Sequence, residues 1–188
     1  MTKSTENFMQ YAEEHLMKSE LFRNTSDMSI KDVPSVPGMY AIEIVDKDLI
    51  RTPYSDELRK RKHNLLYIGI GRESLRERLW REELNNHKSA TFFRSIGAVI
   101  GFRPKPGTLK SGSNYKFSKD DTEKIRQWLR EHTKVNYITH PSVPTLEETE
   151  IALISKYKPI INIKDNPYSI DELSEIREEC KRIAKSKA

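Results

Sequence analysis

The sequence predicts one mixed α/β domain, and three observations predict it. Short β-prone runs at 38–45, 65–70 and 134–139 are separated by segments whose apolar residues recur at helical spacing. The 188 residues, of 22.0 kDa, suffice to bury one core but not two large ones. Charged residues make up 32% and mean hydropathy is −0.74, yet aromatic and β-branched residues run along the whole chain, which argues against disorder.

Taken in order, residues 5–22 set Phe8, Tyr11, Ala12 and Leu16 at the spacing of an amphipathic helix, which "DVPSVPG" interrupts. "GMYAIEIV" (38–45) alternates, with Tyr40, Ile42 and Ile44 on one face, and "LLYIGI" (65–70) is a second strand of the same sheet. The charged stretch 46–64 between them is too long for a tight hairpin and reads as an exposed excursion. Gly69 and Gly71 end the second strand, and Ser74 caps a helix over 74–84. Residues 91–102 form a helix with Phe92, Ile96 and Val99 on the apolar side, Arg94 opposite, and a stop at Gly101. After a basic and aromatic loop, Ser118 caps a helix over 118–132, and 134–139 is the third strand. If Thr145 caps the next helix, about 100° per residue puts Leu146, Leu153, Ile154 and Tyr157 on one side with Glu150 among them. Glu147 and Glu148 point elsewhere. "SIDE" (169–172) reads as a capping box for a C-terminal helix.

Composition narrows the function. Lys+Arg 33 against Asp+Glu 28 gives +5 and a pI near 9.2, which suits a polyanionic partner such as nucleic acid. Cys180 is the single cysteine, so there is no internal disulfide or cysteine zinc cluster, and a reducing compartment is expected. Histidines 15, 63, 87, 132 and 140 form no ligand pair at helical spacing, which leaves zinc hydrolysis without support. Glutamates interrupt the N-terminal stretch where a signal peptide needs an apolar run, and no run approaches 18 apolar residues. A cytoplasmic location without a membrane partner is the expectation. Oligomeric state leaves no trace in the sequence.

Two glycine patterns fail on inspection. "GIGRES" follows a strand, but Ser74 stands at the third glycine position and no acidic residue lies near position 92. "GTLKSGS" has P-loop glycine spacing, but Ser113 replaces the lysine that must reach the phosphates.

Four other pieces occur in a fixed order: "GMY" (38–40), "YIG" (67–69), the basic helix "LRERL" (75–79), and Glu150 twelve positions before Asn162 across "YKPIIN". Together they resemble the GIY-YIG nuclease family over about residues 36–166, flanked by an N-terminal helical extension (1–35) and a C-terminal helix (167–188). The resemblance implies a small α/β sandwich around a three-stranded antiparallel sheet and divalent-metal-dependent cleavage of DNA, with Mg²⁺ or Mn²⁺ as cofactor. It makes Tyr40 and Tyr67 the paired motif tyrosines, Gly69 the motif glycine, Arg78 the helix arginine, Glu150 the metal ligand and Asn162 a supporting polar residue. A carboxylate among apolar neighbours needs a partner to ionise, and a cation bound to it, to waters and to a substrate phosphate supplies one.

The elementary chemistry agrees, since phosphodiester hydrolysis needs an activated water and neutralised phosphoryl oxygens, and a tyrosine base, titrating near 10, needs a neighbour that lowers it. Which tyrosine activates the nucleophile stays open. Read without the resemblance, the tyrosines are strand packing residues, Arg78 and Glu82 an i,i+4 surface pair, and Asn162 a turn former. Three departures from the family pattern stand out. Met39 replaces an isoleucine. Tyr40 and Tyr67 are 27 positions apart, so the excursion 46–64 is a candidate substrate element. Glu82 stands where His or Tyr is usual, with His87 as a substitute. Lys88, Arg94, Arg103, Lys105, Lys110 and Lys116 lie near aromatics and are candidate phosphate contacts. A nucleic-acid-binding module that keeps the fold without cleavage is the alternative.

Overall fold

Strand β1 (Arg23–Asn24), β2 (Gly38–Ile44), β3 (Leu65–Gly71) and β4 (Thr133–Thr139) form one antiparallel sheet in the order β1-β4-β2-β3 in the computed structural model, which describes residues 3–88, 90–109 and 114–187. The three expected strands are its body. β1 adds a two-residue edge, Arg23 opposite Val135 and Asn24 opposite Lys134, too short for any alternation to announce it. The helices in chain order are α1 (Lys3–His15), α2 (Tyr54–Arg61), a π-helix over Arg76–Leu84, α3 (Thr91–Val99), α4 (Lys119–His132), α5 (Val143–Tyr157) and α6 (Asp171–Lys185).

Strand β2 is paired on both edges and covered by helices on both faces: Tyr40, Ile42 and Ile44 belong to one core, Met39 and Ala41 to the other. The first core is closed by apolar residues of α2, the π-helix, α3, α4 and α6, the second by Phe8, Ala12 and Leu16 of α1 and Leu146, Leu153 and Ile154 of α5. A bulge interrupts the β2–β3 register, Ile42 facing Tyr67 but Glu43 facing Leu65. It leaves Leu66 and Tyr67 in the same core although they are consecutive.

Several local expectations are corrected. The stretch 46–64 is not simply exposed: it folds into α2, whose Tyr54 and Leu58 are fully buried, an i,i+4 pair hidden in the sequence by the charges around it. Arg61 there donates to the carbonyls of Lys158 at 2.6 Å and Tyr168 at 2.8 Å. In α3 every residue from Phe92 to Val99 is buried, Arg94 at 4% exposure included, because α6 packs on the helix as well. Gly101 follows at φ 105°, as the stop signal requires. The cap of α5 is Ser142 rather than Thr145: its Oγ accepts from the Thr145 amide at 3.4 Å and the Thr145 hydroxyl at 2.9 Å, and Pro144 sits in the first turn. Ser169 does not form a capping box, since α6 begins one residue later with Ile170 at its cap position. Ser74 and Ser118 do accept the amides expected of caps, from Glu77 at 3.3 Å and Asp121 at 3.1 Å.

Strand β3 is an edge, and the segment after α5 covers it. Ile160 and Ile161 donate to the carbonyls of Leu65 and Leu66, and the Asn162 side chain continues the ladder, accepting from Ile68 N–H and donating to Ile68 C=O, both at 2.9 Å. No helix of the described residues is long and apolar enough to cross a membrane.

Candidate active site

A cleft of about 750 Å³ opens at the C-terminal end of β3, between the π-helix, the end of α5 with the segment after it, and α6. Tyr67, Gly69, Arg72, Arg78, Glu82, Lys88, Glu150, Asn162, Asp165 and Arg177 are among its walls.

The two strands set the tyrosines. Tyr40 lies opposite Gly69, and its ring crosses the space where a side chain at 69 would be: a Cβ there would stand 2.5 Å from the Tyr40 hydroxyl. Gly69 is therefore the residue that admits the tyrosine pair, whose ring centroids are 6.2 Å apart. Tyr40 is fully buried behind the wall, whereas Tyr67 lines the cleft and leans on Phe92 at 5.2 Å. The pair that looks symmetric in sequence is asymmetric in space. Burial, reinforced by Glu83, holds both hydroxyls above the ordinary tyrosine value.

The π-helix sets the arginine. On an ordinary α-helix Glu83 would stand about 140° round from Arg78 and Glu82 about 40°. The i→i+5 turn brings Glu83 over Arg78 instead. Arg78 Nη2 lies 2.6 Å from Glu83 Oε1 and Nη1 lies 3.0 Å from Glu82 Oε2. Glu83, with no exposed surface, also accepts from the Phe92 amide at 3.0 Å and from the Tyr40 hydroxyl at 3.4 Å. Burial pushes its carboxyl up, opposed by Arg78 and by the amides of Phe92 and Phe93. Sequence reasoning missed Glu83 because helical spacing selects Glu82; a π-turn leaves no spacing signal in one sequence.

Glu150 comes from the middle of α5, partly buried beside Ile154 and Ile161 on the cleft wall. Burial pushes its carboxyl up to about 7; Asp165 adds to the rise, and Arg72, Arg78 and Lys164 oppose it. This environment fits a hard divalent cation. Among the described residues no Lys or Arg forms an ion pair with this carboxylate, the cleft has room for waters and a phosphate, and Asp165 offers a neighbouring oxygen. No group of three or more His, Cys, Asp or Glu that could hold an ion occurs among the described residues, so the chain would supply few of the ligands.

Asn162, 5% exposed, is spent on Ile68 and orients β3 rather than facing substrate with a free amide. His87 is exposed and lies against Lys116, Lys119 and Arg126 in a separate shallow groove, so it does not replace the residue usual at Glu82. Of the six candidate phosphate contacts, Lys88 lines the cleft, 3.3 Å from Glu82. Arg94 is buried over the Tyr115 ring, and Arg103 donates to the carbonyls of Ala98 and Phe102 and to Glu179. Lys105 and Lys116 are exposed away from the cleft, and Lys110 lies outside the described residues. No residue of 46–64 lines the cleft. Arg72, Lys164 and Arg177 do, and were not singled out in the sequence, where isolated cations carry no mark.

A family model of the GIY-YIG catalytic domain matches residues 38–183, from the first residue of β2 into the last turn of α6. Comparison with curated proteins finds no match, and neither does comparison with solved structures. The match takes in well over half of the 188 residues, with Tyr40, Tyr67, Arg78, Glu150 and Asn162 all inside it, and on that ground the chain belongs to the GIY-YIG catalytic-domain family.

Proposed function

We propose that this chain is an endonuclease that hydrolyses phosphodiester bonds in DNA with the help of Mg²⁺ or Mn²⁺. The observation that carries the reading is the convergence of Tyr67, Arg78 and Glu150, from a strand, a π-helix and an α-helix, on one cleft lined by Arg72, Lys88, Lys164 and Arg177.

Hydrolysis has to bring a water to the phosphorus, spread the charge growing on the phosphoryl oxygens and release the leaving oxygen. Arg78, held from behind by Glu83, presents a rigid donor to those oxygens once the phosphate displaces Glu82 from its other amino group. Tyr67 keeps a protonated hydroxyl in the cleft wall beside Arg78, where it orients the water or the phosphate; Tyr40 stays behind it and positions it. Glu150, with Asp165 near, would hold the divalent ion, which when bound supplies charge neutralisation and makes a water more acidic. Arg72, Lys88, Lys164 and Arg177 draw the DNA backbone in.

Glu150→Gln tests this. Gln keeps shape while removing the charge, so Mg²⁺-dependent cleavage of plasmid DNA should fall by about 10² or more, with metal-free DNA affinity equal or higher. The thermal midpoint should not fall. A folded Gln variant that cleaves like wild type would sink the assignment.

A second reading, a DNA-binding module without cleavage, draws on Glu82, whose carboxylate occupies Arg78 and Lys88 where a phosphate would sit. It predicts metal-independent binding and no cleavage by wild type.

A further inference from the structure

We propose that Glu83 is the positioning residue of this site, one buried carboxylate that fixes both the Arg78 guanidinium and the Tyr40 hydroxyl from behind the cleft. It has no exposed surface and does not line the cleft, so it cannot touch substrate. Each of its oxygens is committed: Oε1 lies 2.6 Å from Arg78 Nη2 and 3.4 Å from the Tyr40 hydroxyl, and Oε2 is 3.0 Å from the Phe92 amide. The amide belongs to the first turn of α3, so the carboxylate ties three elements together: β2, the π-helix and α3. Glu82, the other partner of Arg78, is in the cleft wall and can be displaced by an incoming phosphate. Glu83 cannot be displaced. When Glu82 yields, Glu83 keeps the guanidinium plane in place, which requires the π-turn that sets residues 78 and 83 on one side.

A buried ion pair is weak evidence of stabilisation, and its retention here is explained by geometry instead. The activity readout rests on the nuclease reading, so a readout independent of it is paired with it. In cleavage assays with Mg²⁺, Glu83→Gln should lower kcat about 10–100-fold with KM within about 3-fold, the pattern of a misplaced catalytic group. In an Arg78→Lys background the same change should cost less than about 3-fold, because the residue through which Glu83 acts has already lost its fork. Independently, ¹H–¹⁵N spectra should show a resolved, slowly exchanging Arg78 Nη2–H signal in wild type, held by the Glu83 carboxylate, that broadens in Glu83→Gln. Glu83→Asp keeps the charge but withdraws it by one methylene and should lie between the two; if the Gln variant does not fold, the Asp variant carries both readouts under the same criteria. Equal kcat losses in the two backgrounds, or an Arg78 signal unchanged by the substitution, overturn the proposal. Should wild type fail to cleave DNA, the nuclease reading falls, and the Arg78 signal alone decides for or against Glu83.

Discussion

Arg78 has carboxylates at both ends of its fork, and the two are not equivalent. Glu83 is sealed in; Glu82, 16% exposed as a side chain, shares its other oxygen with Lys88 at 3.3 Å. A phosphate approaching Arg78 must compete with Glu82 for the same two cations. Glu82→Gln should therefore tighten metal-free DNA binding by about 3–10-fold, the equivalent of relieving a partly exposed ion pair. Fluorescence anisotropy at low salt measures it, and weaker or unchanged binding would make Glu82 a structural residue only. At this scale the sequence shows Tyr40, Tyr67, Arg78 and Glu150 through motif order. It hides Glu83, since an α-helical template sends position 83 away from position 78, and it mistakes Arg94 for a surface cation, since one face of α3 looks polar until α6 covers it.

Strand β2 carries a half-buried carboxyl of its own, away from the site. Glu43 lies opposite Lys134 of β4, next to the bulge in the β2–β3 register. Burial pushes its carboxyl up to about 7, with Lys134 opposing. The folded state thus holds its proton to a higher pH than the unfolded chain, whose glutamates titrate near 4.3. Native protein binds more protons between those values, so stability falls as pH rises from about 4.5 to 7, and the full cost is present above 7. Glu43→Gln removes this dependence. It should raise the thermal midpoint at pH 8, by about 2–4 °C for each kcal/mol relieved, and change it little at pH 4.5. A variant with the same midpoint shift at both pH values would show that packing, not ionisation, is responsible. The helix and strand assignments for these elements were legible because each has a long periodic run. What escaped was the short or the context-set: a two-residue β1, a cap displaced from Thr145 to Ser142, and α2 within a run of charges.

The whole molecule organises its modest charge excess by bringing distant cations to one place. Arg72 follows β3, Lys88 follows the π-helix, Lys164 follows α5 and Arg177 comes from α6, and all line the cleft that Glu150 and Tyr67 share. Of these only Lys88 was conspicuous in sequence, where the aromatic-flanked loop of 103–117 drew attention as well; Lys105 and Lys116 in that loop face solvent away from the cleft. Polyanion binding releases counterions, and each lost phosphate contact lowers the slope of log K against log salt by about 0.9 on duplex DNA. Arg177 gives the sharpest case, because α6 also buries Leu173, Ile176, Cys180 and Ala184 in the core, which holds the helix while its partly buried arginine is replaced. Arg177→Ala should weaken metal-free DNA binding and reduce the salt slope by about 0.9, evenly across DNA sequences, whereas Lys105→Ala should leave both unchanged. Binding isotherms at several salt concentrations for the two variants and wild type decide the matter. If Arg177→Ala kept the wild-type slope, α6 would serve the core alone, and the DNA path would have to be drawn without it.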